Sequence, residues 1–428
     1  MQKNLLRKLV FTAPVLSGIL LAGCLPVSEQ NAKAPQYKNP TLEKVVIVSR
    51  HGIRSPEEDE TKEALAQYTP YKWADWKVGV GHLTEKGAQL ETYFGQYLNE
   101  YLTQQGLLNK QECDSGKNIR VYSNSVPRTI STGKAITAGA FANCNVKTEH
   151  QNKIGETDPI FSVDVRTDSE DFKKQVLSGV DLAKTNDKLE PNHQLLAELI
   201  DFKNSNECRI QKDCTFIEED GHLRIEKGKR PSIKSGDLRV SKSIVNALLL
   251  QYYEGLPADR IAGGNIDTEE EWLKINKIKD EYFRASRGYQ PAAAHIAYPL
   301  IKTIRQDLEG SRKISVLVGH DSNIVSLLSA LGVKDYTLPG QFEKTPIGGK
   351  VFFEIWKDSE SGQKLVKTKY VYQSAQQLRK GEKLSLASPP KEVVLEMDKC
   401  KTDRDGFCDY ADFNAILDNI AKMPVNAD

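Results

Sequence analysis

The chain has 428 residues, with 59 Lys and Arg against 58 Asp and Glu, and 39% hydrophobic side chains. That length suits one large domain or two smaller ones, with ample apolar material for a packed core. The balanced charge gives no support for a nucleic-acid partner, which would usually bring a basic excess, but it leaves room for a local basic pocket.

The chain begins with an export pattern. Lys3, Arg7 and Lys8 form a positive stretch, and Leu9 to Gly23 is an uncharged, mostly apolar run of 15 residues. A membrane span needs about 20 such residues, so the run has the length of a signal peptide instead. It ends in Leu21-Ala22-Gly23-Cys24, which resembles the lipobox of bacterial lipoproteins, where the cysteine is acylated. The expectation is a signal over residues 1–23, a lipid on Cys24 and a polar, Pro-containing tether over 24–40. Leu25 rather than Asp after the cysteine points to the outer membrane, facing the periplasm; a soluble periplasmic protein is the alternative. Membrane contact is expected only through that anchor.

Six further cysteines, Cys113, Cys144, Cys208, Cys214, Cys400 and Cys408, suit an oxidising compartment. Six allow about 15 pairings, of which joining sequence neighbours is the simplest. No CxxC or HExxH spacing argues for zinc.

In chain order, the first predicted strand is 45–48, followed by Ser49-Arg50-His51. Leu90, Tyr93, Phe94, Tyr97, Leu98 and Tyr101 recur at helical spacing, with Thr84 as a cap. A second strand, 119–122, leads into SNSVPRT and Arg128, where Pro127 suits a first helical turn. Residues 156–290 are charged and mainly helical, with helices expected over 170–184, 189–203, 241–253 and 268–288. A third strand, 314–318, runs into Gly319-His320-Asp321, and Ile324, Leu327, Leu328 and Leu331 form an apolar stripe after it. A helix starting there would aim its amide groups at an anion. Residues 350–356 and 365–373 return to strand patterning.

Continuous β-branched runs fit strands covered on both faces. The fold expected is therefore α/β: a central, mostly parallel sheet flanked by helices, over 41–155 and 291–428. A smaller, mainly helical domain, 156–290, is inserted. In such sheets ligands gather beyond the carboxyl ends of the strands, so three distant segments can share one crevice.

That crevice would hold Arg50, His51, Arg54, Arg128, His320 and Asp321. Guanidinium forks match phosphate oxygens. A neutral imidazole is a competent nucleophile toward phosphorus, and a nearby carboxylic acid can protonate a leaving alkoxide. Phosphoryl transfer asks mainly for positioning and charge stabilisation, and this set supplies both without a cofactor or metal. Singly, each residue has a blander use: a structural histidine, surface arginines, an aspartate capping a helix. Their joint fall at three strand ends is what points to chemistry.

Arg50 to Pro56, R-H-G-I-R-S-P, together with His320-Asp321, resembles the histidine acid phosphatase family, the second branch of the histidine phosphatase superfamily. Gly81-His82-Leu83-Thr84 with Gly87 is similar to the family's G-x-L-T-x-x-G segment, and residues 123–140 to the segment bearing its third arginine. GHDSNI (319–324), TPIGGK (345–350), KYVYQSAQQLR (369–379), DGFC (405–408) and LQYYEG (250–255) are similar to stretches of bacterial members. The resemblance runs from about residue 42 to the C-terminus and is weakest over 155–235.

The resemblance implies a two-step phosphatase. His51 attacks phosphorus, Arg50, Arg54, Arg128 and His320 hold the phosphoryl oxygens, and Asp321 donates a proton to the leaving alcohol. It also implies the disulfides Cys113–Cys144, Cys208–Cys214 and Cys400–Cys408. The expected partner is a small phosphate monoester, glucose 1-phosphate first and inositol polyphosphates as the alternative. A cofactor-dependent phosphoglycerate mutase also starts with R-H-G but lacks the His-Asp motif and the export signal. A phosphate-binding lipoprotein would not need both nucleophile and proton donor. A metal-dependent phosphatase lacks a ligand cluster here, and Asp403 to Gly406 lacks most of a calcium loop and reads as a turn.

Overall fold

A computed structural model describes residues 37, 39–216 and 221–422. The expected signal segment 1–23 and Cys24 lie outside the described residues, as does the tether 24–40 apart from residues 37, 39 and 40. Among the described residues no helix is long and apolar enough to cross a membrane.

The strands are β1 Thr41–Arg50, β2 Ile119–Ser123, β3 Thr148–Glu149, β4 His222–Arg224, β5 Ser232–Lys234, β6 Ile314–Gly319, β7 Lys350–Lys357, β8 Lys364–Tyr372, β9 Lys391–Val394 and β10 Cys408–Asp409. The central sheet runs β10-β8-β7-β1-β6-β2-β3, with β9 also against β8. β1, β6, β2 and β3 are parallel neighbours. β7 joins β1 antiparallel, and the strands beyond it continue antiparallel. The α/β class expected from the strand runs is the one adopted.

The apolar run of β1 is continuous because both faces of the sheet are covered. Val45 and Ile47 pack with Phe94, Leu98 and Ile136 from the helices Glu85–Gln104 and Pro127–Ala140. Val46 and Val48 point the other way, toward Ile301, Leu327 and Phe413 from the helices Ala292–Glu309, Asp321–Ala330 and Tyr410–Ala421. Period two does the sorting, and each such side chain contributes roughly 1.5–3 kcal/mol on burial.

Two helix starts are set by local chemistry. Thr84 caps the Glu85–Gln104 helix by accepting from the Gly87 amide at 2.9 Å. A Cβ on Gly87 would lie 2.2 Å from the Ile53 carbonyl oxygen, so this glycine lets the helix sit directly on the loop after β1. Pro127 stands at the first turn of the Pro127–Ala140 helix.

Between β3 and β6 the chain is mainly helical: Glu170–Gly179, Leu182–Leu199, Asp237–Glu254 and Glu269–Arg287, plus the β4–β5 hairpin. Leu196, Leu249, Ile275 and Ile278 belong to an apolar cluster distinct from those on the two sheet faces. The single helix expected over 170–184 is broken. Val180 is extended, and Asp181 caps a new helix by accepting from the Lys184 amide at 2.9 Å. That helix therefore begins at Leu182 rather than 189. The apolar spacing runs through the break and hides it; only the aspartate marks it. The helix expected at 241 starts at Asp237.

The structure joins Cys113–Cys144, Cys208–Cys214 and Cys400–Cys408. Between the last pair, Asp403 accepts from the amides of Asp405 (2.9 Å) and Phe407 (2.8 Å) through one carboxylate oxygen, which makes 403–406 the expected turn.

Candidate active site

Strand register brings the sequence-distant groups together. Arg50 is paired with Gly319, and Ser123 with Val318. The His51 amide donates to the Gly319 carbonyl at 3.0 Å and the Asn124 amide to the Val318 carbonyl at 2.9 Å. All three chains leave the sheet at one level. Parallel strands aligned this way deliver Arg50-His51, Asn124 to Arg128 and His320-Asp321 to one crevice. The His51 and His320 rings are 5.5 Å apart, centre to centre.

His51 is buried, and its Nδ1 lies 2.9 Å from the Gly52 carbonyl oxygen. A carbonyl only accepts, so Nδ1 carries the proton and Nε2 keeps its lone pair. Burial, then the charges of Arg128, Arg50 and Arg54, hold this imidazole well below its ordinary range. It therefore stays neutral in acid.

The arginines are braced by carboxylates. Arg50 lies between Asp321 (3.0 Å) and Glu343 (2.9 Å) and donates to the Thr345 carbonyl at 2.6 Å. Arg54 pairs with Glu60 at 2.9 Å, and Arg128 with Glu57 at 2.7 Å. Arg50 Nε, Arg54 Nε and Arg128 Nε are nevertheless buried with no hydrogen-bond acceptor among the described residues. Clustered donors left open in this way match phosphate oxygens. Burial pushes the Asp321 carboxyl up, but the charges of Arg50, Lys279 and Arg287 outweigh it. They hold it well below the usual carboxylate range.

All six residues expected at the site are brought together. Sequence reasoning passed over others. Asn124 accepts from the amides of Ser125 (2.8 Å) and Asp158 (2.9 Å) through Oδ1, so its Nδ2 must face His320 Nε2, 2.7 Å away. Nε2 is thereby an acceptor, and the His320 proton sits on Nδ1. Arg128 Nη2 approaches Nδ1 at 3.5 Å, a longer and weaker contact than the 2.7 Å bond from Asn124, so the Asn124 bond sets the tautomer. The signal was in plain view, since Asn124 directly follows β2.

Glu343 and Lys279 are both buried and paired with each other as well as with the Arg50 network. Glu60 is held from the helical side by Asn246 (2.9 Å) and Lys242 (3.4 Å). No local motif marks any of these. Glu57, Asp59 and Glu60 are close enough to share a metal ion, a grouping the sequence did not announce. Each already faces a cation: Arg128, Lys242 and Arg54 respectively.

Beside the arginines lies a cavity of about 250 Å3, with Arg54 and Asp321 on one wall and Lys242, Phe283, Arg287 and Arg230 on the other. Four larger cavities, of about 430, 600, 660 and 920 Å3, carry none of the motif's arginines or histidines. Chemistry, not volume, picks out the site.

The sequence profile of the histidine phosphatase superfamily (branch 2) matches residues 41–371. The chain belongs to that family. Over 99% of its length it is 37% identical to glucose-1-phosphatase of Salmonella typhimurium, all of which is covered. It is 28% identical to the phytase of Escherichia coli, over 94% of this chain and 96% of that one. The apo phytase of Hafnia alvei superposes with a TM-score of 0.82 at 29% identity, covering 91% of this chain and 98% of that structure. This histidine phosphatase is accordingly a phosphomonoester hydrolase with an α/β scaffold.

Proposed function

We propose that the protein hydrolyses phosphate monoesters, glucose 1-phosphate foremost, through a phosphohistidine on His51. One observation carries this reading: His51 commits Nδ1 to the Gly52 carbonyl, leaving a neutral Nε2 among three arginines with open donors. Nε2 attacks phosphorus as the bond to the alcohol oxygen breaks, and Asp321 gives that oxygen its proton. Water then attacks the phosphohistidine, Asp321 takes a proton from it, and the P–N bond breaks. Arg50, Arg54, Arg128 and the Nδ1–H of His320 hold the phosphoryl oxygens.

The low carboxyl pKa of Asp321 gives this scheme an acid requirement. In the free protein Asp321 is ionised beside Arg50. A bound phosphate draws on the Arg50 charge and repels the carboxylate, which raises its proton affinity. A monoester monoanion, prevalent below about pH 6, can bring the proton with it.

Glucose 1-phosphate is favoured by the likeness to glucose-1-phosphatase of Salmonella typhimurium. The phytase relatives favour inositol polyphosphates as the second reading. Residues 156–290 serve in this proposal as an inserted helical domain that forms the far wall of the pocket. Export with acylation at Cys24 is part of the proposal. The signal pattern of residues 1–24 and the three disulfides support it.

The test is phosphate release from glucose 1-phosphate at acidic pH in chelator, with His51→Ala as control. Release is expected from the wild type, with an acid-labile phosphoenzyme in rapid-quench samples. The variant should lose at least about a thousandfold in rate and form no phosphoenzyme. Full activity in the variant would remove His51 as nucleophile.

A further inference from the structure

The segment Glu343-Lys344-Thr345 is shared by two sites. Glu343 and the Thr345 carbonyl hold Arg50, at 2.9 and 2.6 Å. Lys344, between them, contacts a different set of groups. Its amide donates to Asp280 at 3.3 Å, its side chain pairs with Asp335 at 2.6 Å, and its carbonyl accepts from the Tyr336 hydroxyl at 2.8 Å. Lys344 and Thr345 also line the cavity of about 660 Å3, together with Asp280.

That cavity combines an apolar wall, with Val325, Leu328, Leu331 and Ile420, and a partly buried carboxylate that lacks a cation. Asp280 accepts only from the Lys344 amide and from Asn276 Nδ2 at 3.2 Å, and it makes no ion pair among the described residues. The cations nearest to it are committed elsewhere, Lys279 to Glu343 and Lys344 to Asp335. On the same helix Glu281 is taken by Arg284 at 2.6 Å. Lys334, Asp398 and Lys399 are exposed at the rim. Burial raises the Asp280 carboxyl to about 7, against the opposing charge of Lys279. A carboxylate short of a cation beside an apolar wall is completed by an ammonium group on an apolar body.

We propose that this cavity is an effector site for a small primary amine with an apolar body, and that the amine, paired with Asp280, weakens phosphate binding at Arg50. To meet the ammonium, the carboxylate turns from the Lys344 amide, and the segment that braces Arg50 through Glu343 and Thr345 loosens. The amine site is separate from the phosphoryl pocket; only its effect on phosphate rests on the phosphatase reading above.

Calorimetry would titrate the protein with benzylammonium, and with benzyl alcohol as the uncharged control, at pH 6 and pH 8. The amine stays charged at both, whereas Asp280 must give up a proton to pair with it at the lower pH. Binding should therefore be about tenfold tighter at pH 8 than at pH 6. The alcohol should bind at least about tenfold more weakly, and equally at both pH values. At pH 7, saturating benzylammonium should raise the Kd of inorganic phosphate roughly five- to tenfold, and phosphate should raise that of the amine by the same factor. Asp280→Asn, and Val325→Trp, which fills part of the cavity, should each weaken amine binding at least about tenfold. Amine binding unchanged in both variants would overturn the proposal. So would equal binding of amine and alcohol, or a phosphate Kd indifferent to the amine, neither of which needs a variant to fold. Amine binding with the expected pH dependence, but no binding or release of phosphate at all, would instead bring down the phosphatase reading and leave the amine site standing.

Discussion

The wall of the pocket built from strand ends carries its functional groups in clusters, whereas the helical wall supplies them one at a time. Arg50, His51 and Arg54 fall within five positions, and His320 and Asp321 are adjacent. Lys242 comes from the Asp237–Glu254 helix and Lys279 and Arg287 from the Glu269–Arg287 helix, at positions well apart along the chain, with Ser243 beside Lys242 also donating to Asp59 at 3.1 Å. A strand that ends in a loop can turn several consecutive side chains toward one point. A helix offers one face, so consecutive residues diverge by about 100°. The difference teaches where a sequence shows its pocket: in clusters at strand ends, and hardly at all on helices, whose contributions are scattered along the chain.

The largest expected effect tests the strand-end wall. Asp321→Asn should lower kcat for glucose 1-phosphate by about 10²–10⁴. The loss should be far smaller for p-nitrophenyl phosphate, whose leaving phenolate needs little help from an acid. Equal losses for both esters, measured by steady-state phosphate release, would give Asp321 a binding role instead.

The second prediction asks whether the two walls are joined energetically. Lys279→Met leaves Glu343 short of one buried cation. It should cost on the order of 3 kcal/mol in urea unfolding, and the double variant Lys279→Met/Glu343→Gln should recover part of that. Additive losses would mean that the pair does not couple the walls.

The third is smaller and sharpens the role of His320. Burial and the Arg128 charge hold its imidazole well below its ordinary range, so the wild-type ring is neutral with Nδ1–H toward the pocket. Asn124→Asp keeps an acceptor for both backbone amides but turns the Nε2 contact into an acceptor. The ring proton then moves to Nε2, and the folded pKa rises. Below that raised pKa the imidazolium still donates from Nδ1; as pH climbs through it, the donor is lost. The variant-to-wild-type ratio of kcat/KM should therefore be near one in acid and fall about tenfold toward pH 7. A ratio flat with pH would show that Asn124 does not set the tautomer.

Much of the site was legible because strand ends keep sequence neighbours together. The runs before Arg50, Asn124 and His320 could each be recognised as buried strands, and strand-end placement then predicted a shared crevice. Asn124 was visible but passed over, since an asparagine after a strand is usually a turn residue. Glu343 and Lys279 were not legible. A buried lysine and a buried glutamate differ from surface ones only in what lies opposite, and their partners sit 64 residues apart in the chain. The break at Val180 was hidden for another reason: apolar periodicity continues across it, and the Asp181 cap is a single residue.

The sequence by itself determined the α/β class, the positions of the main strands and the placing of Arg50, His51, Arg54, Arg128, His320 and Asp321 at or just beyond strand ends. Those properties depend on short-range pattern: which residues alternate, which run on, and what stands at the end of a run. Only the tertiary structure decided the tautomers of His51 and His320 and the carboxylates paired with Arg50, Arg54 and Arg128. Each of those is a distance between groups far apart in the chain. Proton position and net charge in a buried pocket follow from such distances, because at low dielectric a neighbour a few ångströms away outweighs everything local.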